Sequence, residues 1–370
     1  MTARDPASIT IGQRVTLARA SLEREPDCLP KRAGIGAPEL TAIEAGDRLP
    51  GPAELVGIAN SLGLPPDWFL TDPPPVVMSL RAERIEGPPR SQVDLLLESL
   101  ARDIEQLHAL GLLTSISHAE RLPPPHTPQE AEAAAAQVRR WIGNVEDPLL
   151  DLDRAFESFG LTTFCTALPP GHPDGAYLAL ERSGAALING SQEPGRRRFT
   201  LAHEFGHHLF QDSYSTDWSI GAGSEATEKL INAFAVHLLL PAPGLRARWQ
   251  ALGGEPEPRR ALAALAIEYR VSWSAITSHC NRVGLVAASF RDQPAPGRAE
   301  LQDFGLAVHP ELVPPSLSPP FVQAVLTALR KNRITERRAR EMLRNTADSL
   351  QMPATDEIPL AAFRAEIEVA

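Results

Sequence analysis

With 370 residues, 43% of them apolar, the chain is long enough for two or three domains with ordinary cores. A formal net charge of −10 excludes a protein whose whole surface binds nucleic acid. No apolar run is long enough to span a bilayer and no leader-like stretch opens the chain, so a cytoplasmic protein with no membrane partner is expected. In chain order, residues 9–71 come first, as a set of short helices. One begins at Ile11-Gly12-Gln13-Arg14-Val15 with Leu17 and Leu22 on its buried side, and further segments follow at 29–35, 37–50 and 53–64.

Two phrases here, Ile43-Glu44-Ala45-Gly46-Asp47-Arg48-Leu49-Pro50 and the run from 59 to 70, resemble the Xre-type helix-turn-helix domain. The resemblance covers the whole segment and implies its fold. DNA readout is a separate matter, because bases are read by the first residues of the recognition helix. Here those positions hold Gly36, Ala37, Pro38 and Glu39, none of them a good base reader, and Glu39 repels phosphate. Residues 1–75 carry seven basic against ten acidic residues, a net of −3. Only Lys31, Arg32 and Arg48 offer charge to a phosphate backbone. DNA contact and docking onto a protein both stay open for this module.

Pro73, Pro74 and Pro75 end the module. Residues 91–112 predict an amphipathic helix, with Val93, Leu96, Leu97, Leu100, Ile104, Leu107 and Leu110 at helical spacing, packed on the domain that follows. A second break falls at Pro123-Pro124-Pro125. The expected organisation is therefore a module at 1–75, a helical linker at 76–127, a central domain at 128–285 and a mainly helical region at 286–370. Within the central domain, 129–142 and 148–159 read as helices. Residues 161–166, 176–180 and 185–189, bounded by Gly and Pro, read as strands of a small sheet. Arg196-Arg197-Arg198 reads as a solvated turn leading into the next element.

That element is Phe199-Thr200-Leu201-Ala202-His203-Glu204-Phe205-Gly206-His207-His208-Leu209, which contains H-E-x-x-H. Residues four apart share a helix face, so His203 and His207 are able to aim both imidazoles at one ion. Glu204, one step round, is placed to take a proton from water beside the metal. Gly206 lowers helix propensity and is read as permitting close approach of another element. His208 points off this face and is expected on the helix surface or beside the ligands. A catalytic zinc takes three protein ligands. The helix expected next, capped by Ser224 or Thr227 and limited by Pro241, offers Glu225 and Glu228, with Asn232 on the Glu228 face. His237 lies nearby and is read as a packed histidine or an oxyanion donor.

The run from Arg198 to His208, followed by Glu228-Lys229-Leu230-Ile231-Asn232-Ala233-Phe234-Ala235-Val236-His237-Leu238-Leu239-Leu240-Pro241, is similar to the ImmA/IrrE family of zinc metallopeptidases. Their second helix reads roughly E-x-x-A-N-x-F-A-x-x-L-L-x-P, and Ile231 stands where a small residue is usual. The resemblance implies an α+β, mostly α protein with a zincin-like peptidase domain. It implies Glu228 as the third ligand beside His203 and His207, Glu204 as the catalytic base, and Asn232 and His237 as supporting positions. It further implies Zn²⁺, with Mn²⁺ or Fe²⁺ as substitutes set by availability. The implied activity is narrow-specificity cleavage of a helix-turn-helix repressor, relieving repression in a stress or mobile-element response. The alternative is a helix-turn-helix regulator that keeps the zinc domain as a sensor or scaffold. Residues 258–271 and 272–283 resemble the helical pair that follows this peptidase core.

Farther on, 321–329 and 335–343 read as helices. Lys331, Arg333, Arg337, Arg338, Arg340 and Arg344 form a basic cluster, read as a solvated face. Cys28, Cys165 and Cys280, odd in number and widely spaced, predict buried thiols rather than disulfides or a metal pair.

Overall fold

Burial sorts the apolar side chains into three clusters, each closed by its own group of helices. The computed structural model describes residues 6–21, 28–71, 92–113, 122–181, 183–210, 225–254, 256–344, 346 and 352–356.

The first cluster is the N-terminal module: α1 (Pro6–Ser21), α2 (Cys28–Ala33), α3 (Ala37–Glu44), α4 (Pro52–Leu62) and a 3-10 turn at Pro66–Phe69. Val15, Ile43, Ile58, Trp68 and Phe69 are fully buried at its centre. Residues 36–39, at the start of α3, are all exposed. Residues 72–75, where the sequence ends this module, lie outside the described residues.

Helix α5 (Gln92–Ala109) is buried on two sides. Leu95 enters the N-terminal cluster, whereas Val93, Leu97, Leu100, Ile104 and Leu107 enter the cluster on the sheet. Arg14, 5% exposed, reaches across from α1. Its guanidinium lies 3.8 Å from the Trp68 ring and pairs with Glu98 of α5 at 3.0 Å.

The sheet comprises β1 (Leu161–Thr166), β2 (Gly175–Ala179), β3 (Gly184–Asn189) and the short β4 (Ser316–Leu317), in the order β2-β3-β1-β4. β1 and β3 run parallel; the β2–β3 and β1–β4 pairs are antiparallel. Side chains alternate between its faces, as a pleat requires. Tyr177, Ala186 and Ile188 face one cluster; Ala176, Leu178, Ala185 and Leu187 face the other. Every residue of β3 is buried, the pattern of a strand covered on both sides.

On the first face lie α6 (Pro128–Ile142), α7 (Leu152–Glu157), α8 (Pro194–Phe210), α9 (Glu225–Leu239), α10 (Ala242–Ala251), α11 (Pro258–Glu268) and α12 (Trp273–Val283). Helix α13 (Arg298–Asp303) leads to the other face, which α5 covers together with α14 (Pro319–Arg330) and α15 (Glu336–Met342). The fold is mostly helical with one small mixed sheet. No single described helix is long and apolar enough to cross a membrane.

Three expectations are corrected. The helix expected over 148–159 is only Leu152–Glu157, because the Leu149 and Leu150 carbonyls turn aside to accept from Arg198. Arg197 and Arg198 are not a solvated turn: they sit inside α8, 7% and 1% exposed. Arg197 donates to the Gly190 carbonyl and Arg198 to Glu311 at 3.0 Å, leaving Arg196 outside on Asp174. Nor is the C-terminal basic run a free face. Arg338 and Arg344 both pair with buried Asp103 of α5, Arg337 pairs with Glu341, and Arg340 with Glu336. Cys165 and Cys280 are buried thiols, each pushed up to about 12 by burial.

Candidate metal centre

Helix α8 is set by its own pattern. Leu201, Ala202, Phe205 and Leu209 recur at helical spacing and are buried, and Pro194 occupies its first turn, where a missing N–H costs nothing. That burial turns His203 and His207 toward α9, where Glu228 waits. The Nε2 atoms of the two histidines are 3.1 Å apart. Glu228 brings Oε2 to 3.3 Å from His203 Nε2 and Oε1 to 3.6 Å from His207 Nε2. Ligands about 2.0–2.1 Å from a tetrahedral ion lie about 3.4 Å from one another. The three donors thus stand at the spacing such an ion requires, and they are the cluster within metal-ligand reach among the described residues. Two imidazoles and one carboxylate fit a small divalent ion with a coordination position left for water.

Close approach of α9 to α8 depends on Gly206. A Cβ there would lie 2.9 Å from Ile231 Cγ2 and 3.1 Å from the Phe234 ring. Asn232, one turn beyond Glu228, places Oδ1 3.1 Å from His203 Nδ1. Its acceptance of the Nδ1–H leaves the Nε2 lone pair facing the other donors, the usual way a metal-binding imidazole is oriented.

Electrostatics follow from this packing. Burial pulls His203 down, but its hydrogen bond to Glu228 and the charges of Glu204 and Glu228 outweigh that and hold it above its ordinary value. Burial, then the neighbouring His203, pulls His207 down to about 4. The bond to His203 lowers Glu228 despite desolvation. The three groups share a proton at the point where a cation would bind. Glu204 is 7% exposed, and burial raises it to about 7, near the range suited to a group that takes and returns a proton at neutral pH.

Some of this was not visible in the sequence. Gly175, the first residue of β2, makes room for the base: a Cβ there would come within 2.8 Å of Glu204 Oε1 and would collide with Thr200. Nothing local marks it, since the need arises only where strand and helix meet. His208 is not on the surface. Fully buried, it bridges the Tyr177 hydroxyl at 3.0 Å and the Phe159 carbonyl at 2.9 Å, tying α8 to the sheet. His237 is not with the metal ligands but packs against His279. Thr227 lies inside α9 and does not cap it; Ser224 and the Glu225 side chain lie outside the described residues.

Residues 157–280 match the IrrE N-terminal-like domain. The radiation response metalloprotease IrrE of Deinococcus radiodurans is 34% identical over 113 residues, 29% of this chain and 33% of that protein. The chain thus spans about one third of the length of this curated relative. Among solved structures, the apo competence regulator ComR of Streptococcus vestibularis aligns with 81% of this chain and 100% of its own, at 13% identity and a TM-score of 0.17, an overlap that bears on neither fold nor site. The matched segment contains β1–β3, both imidazoles, Glu204 and Glu228, and residues 157–280 are accordingly a domain of the ImmA/IrrE metallopeptidase family.

Proposed function

We propose that this chain is a zinc endopeptidase of narrow specificity that cleaves a helix-turn-helix transcriptional repressor and so relieves repression in a stress or mobile-element response. The observation that carries the reading is the tetrahedral spacing of His203, His207 and Glu228 with the buried Glu204 carboxyl next to them. A Zn²⁺ ion held by those three residues supplies Lewis acidity and a water of lowered pKa. Glu204 takes a proton from the attacking water and hands it to the leaving amine nitrogen, so one carboxyl serves as base and then acid. Strand β2 lies at the end of the sheet order, and its first residue borders Glu204. Its outer edge suits an extended peptide, which gains backbone hydrogen bonds by adding a strand.

The repressor as substrate is supported by the sequence resemblance and by similarity to a radiation response metalloprotease. The N-terminal module, read as a helix-turn-helix unit, serves in this proposal to find the target, with direct DNA contact a secondary role. Co-expression with the helix-turn-helix protein encoded beside this chain tests the reading. Wild type cleaves it, whereas Glu204→Gln loses activity by about 10²–10⁴-fold with its metal content unchanged. Equal processing by both would remove Glu204 from the mechanism.

A further inference from the structure

The far end of α9 carries a pair of histidines that the metal centre does not use. His237 of α9 and His279 of α12 meet edge to face, their ring centroids 5.0 Å apart at 83°. His279 is 1% exposed, and neither of its ring nitrogens makes a hydrogen bond; Nδ1 of His237 is also buried without one. Leaving such groups unpaired costs about 1–3 kcal/mol each, so three on one cavity wall point to a ligand that satisfies them.

The cavity has a volume of about 590 Å³ and is rimmed by Lys229 of α9, Arg246 of α10 and Arg282 of α12. Glu132 of α6 is the one carboxylate in its lining, so three cations against one anion leave a local charge of about +2 in a chain of −10. Glu132 does not occupy the imidazoles: its side chain is 53% exposed and Oε1 stays 3.8 Å from His237 Nδ1. Arg282 makes no ion pair among the described residues, and Arg246 commits Nη2 to the Val283 carbonyl at 3.1 Å. Burial, then the charges of His237 and Arg282, pulls His279 down to about 3 against a weak opposing pull from the Leu240 backbone; burial lowers His237 as well. Both rings are therefore neutral near pH 7, each with one N–H to donate. The positive rim disfavours a metal, and these residues are not among the described donors within metal-ligand reach.

We propose that this cavity binds a doubly charged oxyanion, inorganic phosphate or a phosphate monoester, with His237 and His279 donating from the floor and Arg246 and Arg282 from the rim. The charge matches, and guanidinium–phosphate bonds are among the strong ones. The volume exceeds a bare phosphate and falls in the range of small-molecule pockets, so an attached organic group has room. Glu228 lies nine residues back along α9, about 13 Å by helix rise. The anion site therefore stands or falls apart from the peptidase reading.

The test titrates the full-length, zinc-loaded chain with inorganic phosphate and, in a parallel arm, with phenyl phosphate, following the histidine ring protons by NMR. A His237→Gln variant identifies that ring's signal. Both rings are expected to shift saturably, with affinity at least tenfold weaker in the Arg246→Ser, Arg282→Ser double variant, whose changes are on the surface. Tighter binding of phenyl phosphate assigns a monoester; tighter binding of the inorganic ion assigns free phosphate, and either supports the site. The proposal is overturned if phosphate moves neither signal or moves them equally in the arginine variant. It is also overturned if only added Zn²⁺ moves them, or if the response vanishes in His203→Ala, which would place the phosphate on the metal centre.

Discussion

Asn232 contributes no metal-directed atom, yet it decides which nitrogen of His203 carries the proton. Asn232→Ala is expected to lower metal affinity by about 10–100-fold, the usual effect of losing such a partner, in a competition titration against a chelator. A second residue sets a pH dependence. Glu157, 7% exposed at the end of α7, has both carboxyl oxygens without hydrogen bonds; burial raises it to about 7 against a smaller opposing pull from Ser318. A carboxyl raised in the folded state contributes fully below its unfolded value near 4.5 and opposes folding as pH rises from there through about 7. Glu157→Gln should therefore match wild type at pH 4 and exceed it by about 1–3 kcal/mol at pH 8; equal thermal unfolding at both pH values would refute this. The metal-binding side chains were legible in sequence because each pair is a local i, i+4 repeat on one helix. Gly175 and the His208 bridge were not, because their roles come from a strand meeting a helix.

At the scale of elements, the metal centre depends on how near α9 lies to α8. Replacing a helix glycine by alanine ordinarily gains up to about 1 kcal/mol. At Gly206 the new methyl meets Ile231, whose branched side chain has little rotamer freedom in a helix. Gly206→Ala is expected to destabilise by about 1–3 kcal/mol and to weaken metal retention by displacing Glu228. Adding Ile231→Ala should recover the metal binding, and a double variant no better than the single would sink the account. The sequence suggested close approach at Gly206 and located the small sheet to within a residue or two. It missed the shortening of α7 and the burial of Arg197 and Arg198, because a guanidinium reaching a distant carbonyl leaves no periodic trace.

Across the whole molecule, residues separated by the first proline-rich break are joined by one buried ion pair. Removing Glu98 takes the carboxylate from a guanidinium that is only 5% exposed and otherwise meets Trp68. Glu98→Ala should cost about 3–5 kcal/mol, and exchanging both partners for apolar residues, Arg14→Met with Glu98→Leu, should recover most of it; thermal unfolding with limited proteolysis of residues 1–71 reads both. Composition and hydrophobic spacing named α5 as an amphipathic helix, but not that both its faces are engaged, since Leu95 finds its neighbours only after folding. The two-sided burial of α5 bears on anyone trimming the protein. A fragment opening at residue 128 would strip Leu97, Leu100, Ile104 and Leu107 from the sheet and bare a greasy slab of Leu178, Ala185 and Leu187. The shortest soluble piece that still carries the histidines therefore begins no later than residue 92.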